Sequence, residues 1–207
     1  MTTEERYRAI LRNHLPTDAV GVVYDYLNLH KVHFHITRER RSKLGDYRWP
    51  QRDHEFHEMS VNGDLNSYLF LWVFLHEAAH LETHLKYSRV AAHGHEWQAE
   101  YALLLRRYLG FFPAEAQPII AQYSARIPLS RPLLRQVEEL LHHYDKDYVE
   151  GSSTRLDDLP AGSCFRLKNK PEMVFESVER RRTRWLCREA ATGRQYTVNG
   201  RAEVEPV

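Results

Sequence analysis

The apolar positions change rhythm along the chain. Between Glu4 and Asn13, Tyr7, Ile10 and Leu11 recur at helical spacing. After Pro16-Thr17-Asp18 a second helix is predicted, with Val20, Val23, Tyr24 and Leu27 on one face. Lys31 to Thr37 alternates instead. Val32, Phe34 and Ile36 point one way and His33 and His35 the other, the pattern of a half-buried strand. Lys43-Leu44-Gly45-Asp46 reads as a turn, Tyr47 to Trp49 as the start of a short second strand, and Phe56 to Val61 as a third that ends at Asn62-Gly63-Asp64. Leu65 to about Tyr87 predicts a long helix capped by Asn62 or Asp64. Its run Leu69–Leu75 is apolar all round, so its first half is expected to be buried. Further helices are predicted at Gly94–Leu109, with Gly110 as the stop, at Pro113–Ser124, shortened or kinked by Pro118, and at Pro132–His143.

The pattern then shifts. Residues 146–162 are polar and contain Gly and Ser, the composition of a linker, and 163–207 carry short β-like segments at Cys164–Leu167, Met173–Glu179, Thr183–Glu189, Tyr196–Val198 and Ala202–Val204, with turns at Asn169 and Thr192-Gly193. The expected organisation is an α+β domain over 1–145, a linker, and a small β-rich C-terminal segment.

Composition narrows the function classes. A net charge of +1 is far from that of a dedicated polyanion binder. Two cysteines, Cys164 and Cys187, cannot build a four-Cys zinc site or a disulfide framework. The longest apolar run, Leu69–Leu75, is far short of the ~20 residues of a membrane span. The charged start lacks the apolar core of a signal peptide, so a soluble cytoplasmic protein with no membrane partner is expected. Thirteen histidines stand out, because histidine is the commonest metal ligand.

Spacing gives that surplus a direction. His76-Glu77-Ala78-Ala79-His80 lies inside the predicted long helix. There, positions i and i+4 share a face, so both imidazoles can reach one Zn²⁺. Glu77 follows the first ligand and is placed to reach a water, whose pKa zinc lowers to about 7. A catalytic site of this kind needs a third protein ligand. His84, His93, His95, Glu96 and Glu100 are the candidates. His84 lies about 12 Å along the axis from His76, too far for one ion, and reads as a surface or outer position. Ser88–Ala92 is a plausible turning segment, after which His93, followed by Gly94, can point back at the metal. Glu100 would supply a carboxylate from the following helix instead.

His76-Glu77-Ala78-Ala79-His80, twelve intervening residues and then His93-Gly94-His95-Glu96-Trp97 resemble the SprT-like (Spartan-type) zinc metalloproteases, which pair HExxH with a downstream H-G-x-E-W/F. Arg41–Arg48 and Val61-Asn62 also resemble that family's strand region, and the likeness covers roughly residues 15 to 110. The resemblance implies a zincin-like α+β domain with N-terminal helices and a small sheet beside the active helix. It implies one Zn²⁺ held by His76, His80 and His93, Glu77 as general base, and Glu96 and Trp97 as supporting positions. Many bacterial relatives end in a Cys-rich zinc ribbon, which this chain cannot form.

The reaction expected is hydrolysis of a protein or peptide, and an exposed strand near Phe56–Val61 could pair with an extended substrate. Eukaryotic members of the resembled family degrade DNA-crosslinked proteins. Arg180, Arg181, Arg182, Arg184 and Trp185 could contact the phosphates and stack a base of single-stranded DNA, although a solvated strand face gives the same pattern. Arg38, Arg40, Arg41, Lys43 and Arg48 form a second basic stretch. Two other classes share these features: a nucleic-acid-associated module with a structural metal site, and a metal-dependent hydrolase of a non-peptide substrate.

Overall fold

In a computed structural model, residues 2–40, 42–50, 56–88, 90–146, 148, 154–167, 170–182, 184–200 and 202–207 are described. Arg41, Arg89, Asn169, Thr183 and linker positions 147 and 149–153 lie outside them. The chain divides into two units, 1–147 and 148–207.

The first unit is built on the apolar run. Leu69 to Leu75 are all buried, and they form the first half of a 21-residue helix, α3 (Ser67–Tyr87). Each large side chain so buried contributes about 1.5–3 kcal/mol, which holds this helix at the centre of the unit. Before it come α1 (Thr3–Arg12), opened by a Thr2/Glu5 capping box, α2 (Ala19–Leu29), and the strands β1 (Val32–Thr37), β2 (Gly45–Arg48) and β3 (His57–Asn62). After it come α4 (His95–Arg107), α5 (Gln117–Ser124) and α6 (Arg131–His142). With the β-rich second unit, this is the α+β class expected. Pro118 sits in the first turn of α5, which begins four residues later than its predicted start at Pro113.

The cap of α3 is neither Asn62 nor Asp64 but Asn66. Its Oδ1 accepts from the amides of Tyr68 and Leu69, both at 3.0 Å, while its Nδ2 donates to the Leu141 carbonyl at 2.9 Å and to Asp145. The same side chain thus satisfies orphan donors of one helix and an orphan carbonyl of another. Asn62 is fully buried elsewhere: it accepts from Arg40 Nε (2.7 Å) and donates to the carbonyls of Arg40 and Lys43, pinning the segment that leads into β2.

Among the described residues the sheet of this unit has the order β1-β3-β2, with β1 and β3 parallel and β2 and β3 antiparallel. This corrects the expectation for the Phe56–Val61 strand. It is central, hydrogen-bonded on both sides, and cannot take a substrate strand. The edges are β1 and β2, and of the two it is β2 that lines the cleft with Glu77. Arg40, Lys43 and Arg48 are engaged internally, Arg40 with Asn62 and Ser60, Lys43 and Arg48 with Asp46.

The second unit contains β4 (Thr154–Arg155), β5 (Cys164–Leu167), β6 (Lys170–Arg181), β7 (Arg184–Glu189), β8 (Gln195–Asn199) and β9 (Glu203–Pro206). Its described strands run in the order β4-β9-β5-β6-β7-β8 around a core that includes Leu156, Phe165, Phe175, Trp185 and Cys187. Residues 154–158, linker-like in composition, supply β4, a short 3-10 turn and the fully buried Leu156. One apolar side chain facing the core decides their place, and composition averages it away. Both thiols are free. Cys187 is buried, which pushes its pKa up to about 11, and Cys164 is exposed.

Candidate metal centre and active site

The site forms where the second half of α3 meets the start of α4. His76 and His80 lie one turn apart on the same face of α3. The helix ends at Ser88, whose φ of 61° starts the reversal, and His93 at φ 57° completes it before Gly94 caps α4. Ser88, which opens the turning segment expected from the sequence, and His93, just after that segment, are thus non-glycine residues with positive φ, a conformation L-residues adopt only when their surroundings hold them there. The result aims His93 back at α3. His93 Nε2 lies 3.0 Å from His76 Nε2 and 3.1 Å from His80 Nε2.

Three converging imidazole nitrogens fit a cation better than they fit each other. One ring N–H can point at only one neighbour, so three nitrogens at these separations cannot all be paired. Three nitrogens each ~2.0–2.1 Å from a common tetrahedral ion sit about 3.3 Å apart, close to the spacing seen. The electrostatics agree. Burial, then the neighbouring imidazoles, push His76 down to about 3; burial and His93 push His80 down to about 4; burial lowers His93. All three are neutral at physiological pH, the form that ligates. Among the described residues His76, His80 and His93 are the cluster of this kind that could hold a metal ion, in the zincin arrangement.

The other ligand candidates point elsewhere. His84 stacks on Trp49, with centroids 5.8 Å apart and planes 11° apart. His95 is exposed at the first position of α4, and Glu96 lies in that helix's first turn. Glu100 is buried but faces the end of α3, where Lys86 Nζ lies at 2.5 Å and the Tyr87 hydroxyl donates at 3.4 Å. It ties α3 to α4 and stays out of the cluster. Trp97, read as a supporting position, is the platform beneath all three histidines, its ring 4.7 Å from His76, 5.3 Å from His80 and 4.6 Å from His93. Tyr101 packs behind it at 4.9 Å. An aromatic wall of this kind fixes ring orientation and excludes water from the rear of the site.

Glu77 packs against Gly45 of β2 and lines the same cleft as the three histidines. It is 6% exposed, and burial, reinforced by Asp46 and opposed by Arg40 and Lys43, raises its pKa to about 8. Its nearest wall is Gly45. A Cβ there would lie 2.7 Å from Glu77 Cγ and 2.8 Å from Val73 Cγ1, and would also collide with Glu77 Oε1. Only glycine lets the edge strand approach this closely. Gly45→Ala is accordingly expected to cost about 1–3 kcal/mol by overpacking. A urea titration checks it, and an unchanged midpoint would show that Glu77 has room to retreat.

A cleft of about 600 Å³ opens over these groups, lined also by Tyr47, Trp49, Val90 and Ala92. Tyr47 lies parallel to the His80 ring at 6.4 Å, and its hydroxyl meets His57 Nδ1 at 2.8 Å. Gly45, Tyr47 and Trp49 are not among the site residues expected from the sequence, which reads them only as turn and strand positions. A glycine opening a strand was the available signal, since it marks close backbone approach.

In the second unit the arginine-rich stretch divides. Trp185 is buried and its indole N–H donates to Asp157 at 2.8 Å, so it cannot stack a base. Arg180 pairs with the same Asp157 and Arg181 with Glu179. Arg182 and Arg184 are exposed at the β6–β7 turn.

No protein-family model, no curated protein and no solved structure matches this chain.

Proposed function

We propose that this chain is a zinc-dependent protease of the SprT-like kind, with His76, His80 and His93 as the metal ligands and Glu77 as general base. The observation that carries the reading is the pairing of three converging neutral imidazoles with a buried carboxylate packed against an edge strand along the same cleft. A structural metal site has no use for that carboxylate. A bound zinc ion supplies a Lewis acid for the scissile carbonyl and lowers the pKa of a water toward 7.

The chain's own groups do the rest. Glu77 takes the proton of the attacking water and delivers it to the leaving amine. In the metal-free chain its burial raises its proton affinity above that of an ordinary carboxylate. The side of β2 away from β3 has no partner strand among the described residues, so an extended peptide can pair there through its backbone, beside Gly45 and Glu77. Trp97 and Tyr101 keep the ligand rings in place from behind. The substrate proposed is protein, extending on the family resemblance to proteins held on single-stranded DNA. Arg182 and Arg184 would supply phosphate contacts, without a stacking tryptophan.

Metal analysis with a casein assay, run with and without single-stranded DNA, tests the proposal. Stoichiometric zinc, cleavage abolished by a chelator and cleavage restored by zinc are expected. Stimulation by DNA that fades with salt would support the DNA-directed form. Zinc-loaded protein that leaves casein intact under both conditions would overturn the protease reading.

A further inference from the structure

His93 is the ligand that needs help. It sits on a loop, its side chain is exposed, and its backbone is in the left-handed region. His76 and His80 are held by a buried helix, whereas nothing in regular secondary structure holds the peptide of His93. The group that does so is on the next helix. Gln98 Nε2 donates to the carbonyl oxygen of His93 at 3.1 Å, and Gln98 Oε1 accepts the backbone N–H of Leu129 at 2.8 Å. Both ends of the amide are used, one as donor and one as acceptor, so its orientation is fixed by its partners. Gln98 is itself anchored in the first turns of α4, where its backbone N–H donates to Gly94 at 3.0 Å.

We propose that Gln98 is a positioning residue for the metal centre: it clamps the His93 carbonyl, holds that residue in its left-handed conformation, and joins the ligand loop to the α5–α6 connection at Leu129. The inference rests on His93 being a metal ligand. It makes the third ligand's geometry depend on a segment far along the chain. It also gives the side chain at position 98 a use that helix propensity alone would not require, because alanine or glutamate is as good a helix former there.

Two variants of the full chain test it. Gln98→Ala removes both bonds. Gln98→Glu keeps the shape and the acceptor toward Leu129 but replaces the donor facing the His93 carbonyl with an oxygen. The readouts are Co²⁺ absorption, which reports the ligand field directly, zinc affinity by chelator competition, and the melting temperature of each metal-free protein. Both variants are expected to bind zinc about 10–100-fold more weakly, the usual loss when a group that orients a ligand is removed. They should show altered Co²⁺ spectra, with Gln98→Glu melting near wild type. Wild-type affinity and spectrum in Gln98→Glu would overturn the proposal. So would a fall in melting temperature with unchanged zinc affinity, which is what a merely structural glutamine gives. If the wild-type chain itself takes up neither Co²⁺ nor Zn²⁺, the metal reading falls and this one with it. If the wild type binds and the variants bind equally well, only this inference fails.

Discussion

Glu77→Gln is expected to lower peptide hydrolysis by at least about 100-fold, the low end of what a positioned general base contributes, while zinc content stays at the wild-type level. The separation follows from where the side chain points. The nitrogens that could hold the ion belong to His76, His80 and His93, whereas Glu77 packs against Gly45 along the same cleft and is not one of that cluster. Glutamine fills the same volume, so neither the close approach of β2 nor the spacing of the histidines changes, but an amide cannot take a proton. Stability provides an internal control in metal-free protein. Burial raises the Glu77 pKa from 4.5 to about 8, so between these values the folded chain holds a proton that the unfolded chain has released. Stability therefore falls as pH rises through that window. The glutamine variant lacks this loss and should melt at or above wild type there. Activity, zinc stoichiometry and melting curves across pH check both halves. A variant that still cleaves at the wild-type rate would remove Glu77 from the chemistry.

His93→Ala is expected to abolish tight zinc binding, a loss beyond the ~10–100-fold that follows removal of an orienting neighbour, and to leave the fold intact. Two histidines on α3 leave the tetrahedral set short of its third protein ligand. The fold survives because the His93 side chain is exposed and contributes little to the core around Phe70, Phe74 and Leu81. His84→Ala and Glu100→Gln are the matched controls. Both should keep zinc, the first because His84 packs on Trp49, the second because Glu100 faces Lys86. Equilibrium dialysis against zinc, with far-ultraviolet circular dichroism for the fold, gives the comparison. Zinc retained by His93→Ala and lost by Glu100→Gln would reassign the third ligand.

Much of this was legible because it is local. The helix period places His76 over His80 without any knowledge of the rest of the chain, and the all-apolar Leu69–Leu75 says that the helix bearing them is buried. His93 could be named only as one of several candidates. Whether a residue beyond a turn points back depends on backbone angles such as the positive φ of Ser88 and His93, and neither is a glycine that would announce them. The edge strand was misplaced for a related reason. Alternation tells which face of a strand is buried, but not which neighbours it has, and the parallel pairing of β1 with β3 that pushes β2 to the rim is set by long-range packing. Asn66 hid its importance in the same way. As a cap it looks no different from Asn62 or Asp64, and its second bond, to Leu141, joins positions 75 residues apart. At Trp185 the pattern beside the arginines misled, because strand alternation continues through it and turns its ring inward.

The division of the three histidines between α3 and the loop before α4 separates two clocks. Two of the histidines belong to a helix packed into the core, and the third is exposed ahead of α4, tied back through the Gln98 bond to its carbonyl. If zinc is the occupant, as proposed, its exchange is expected to follow local opening at His93 and not global unfolding.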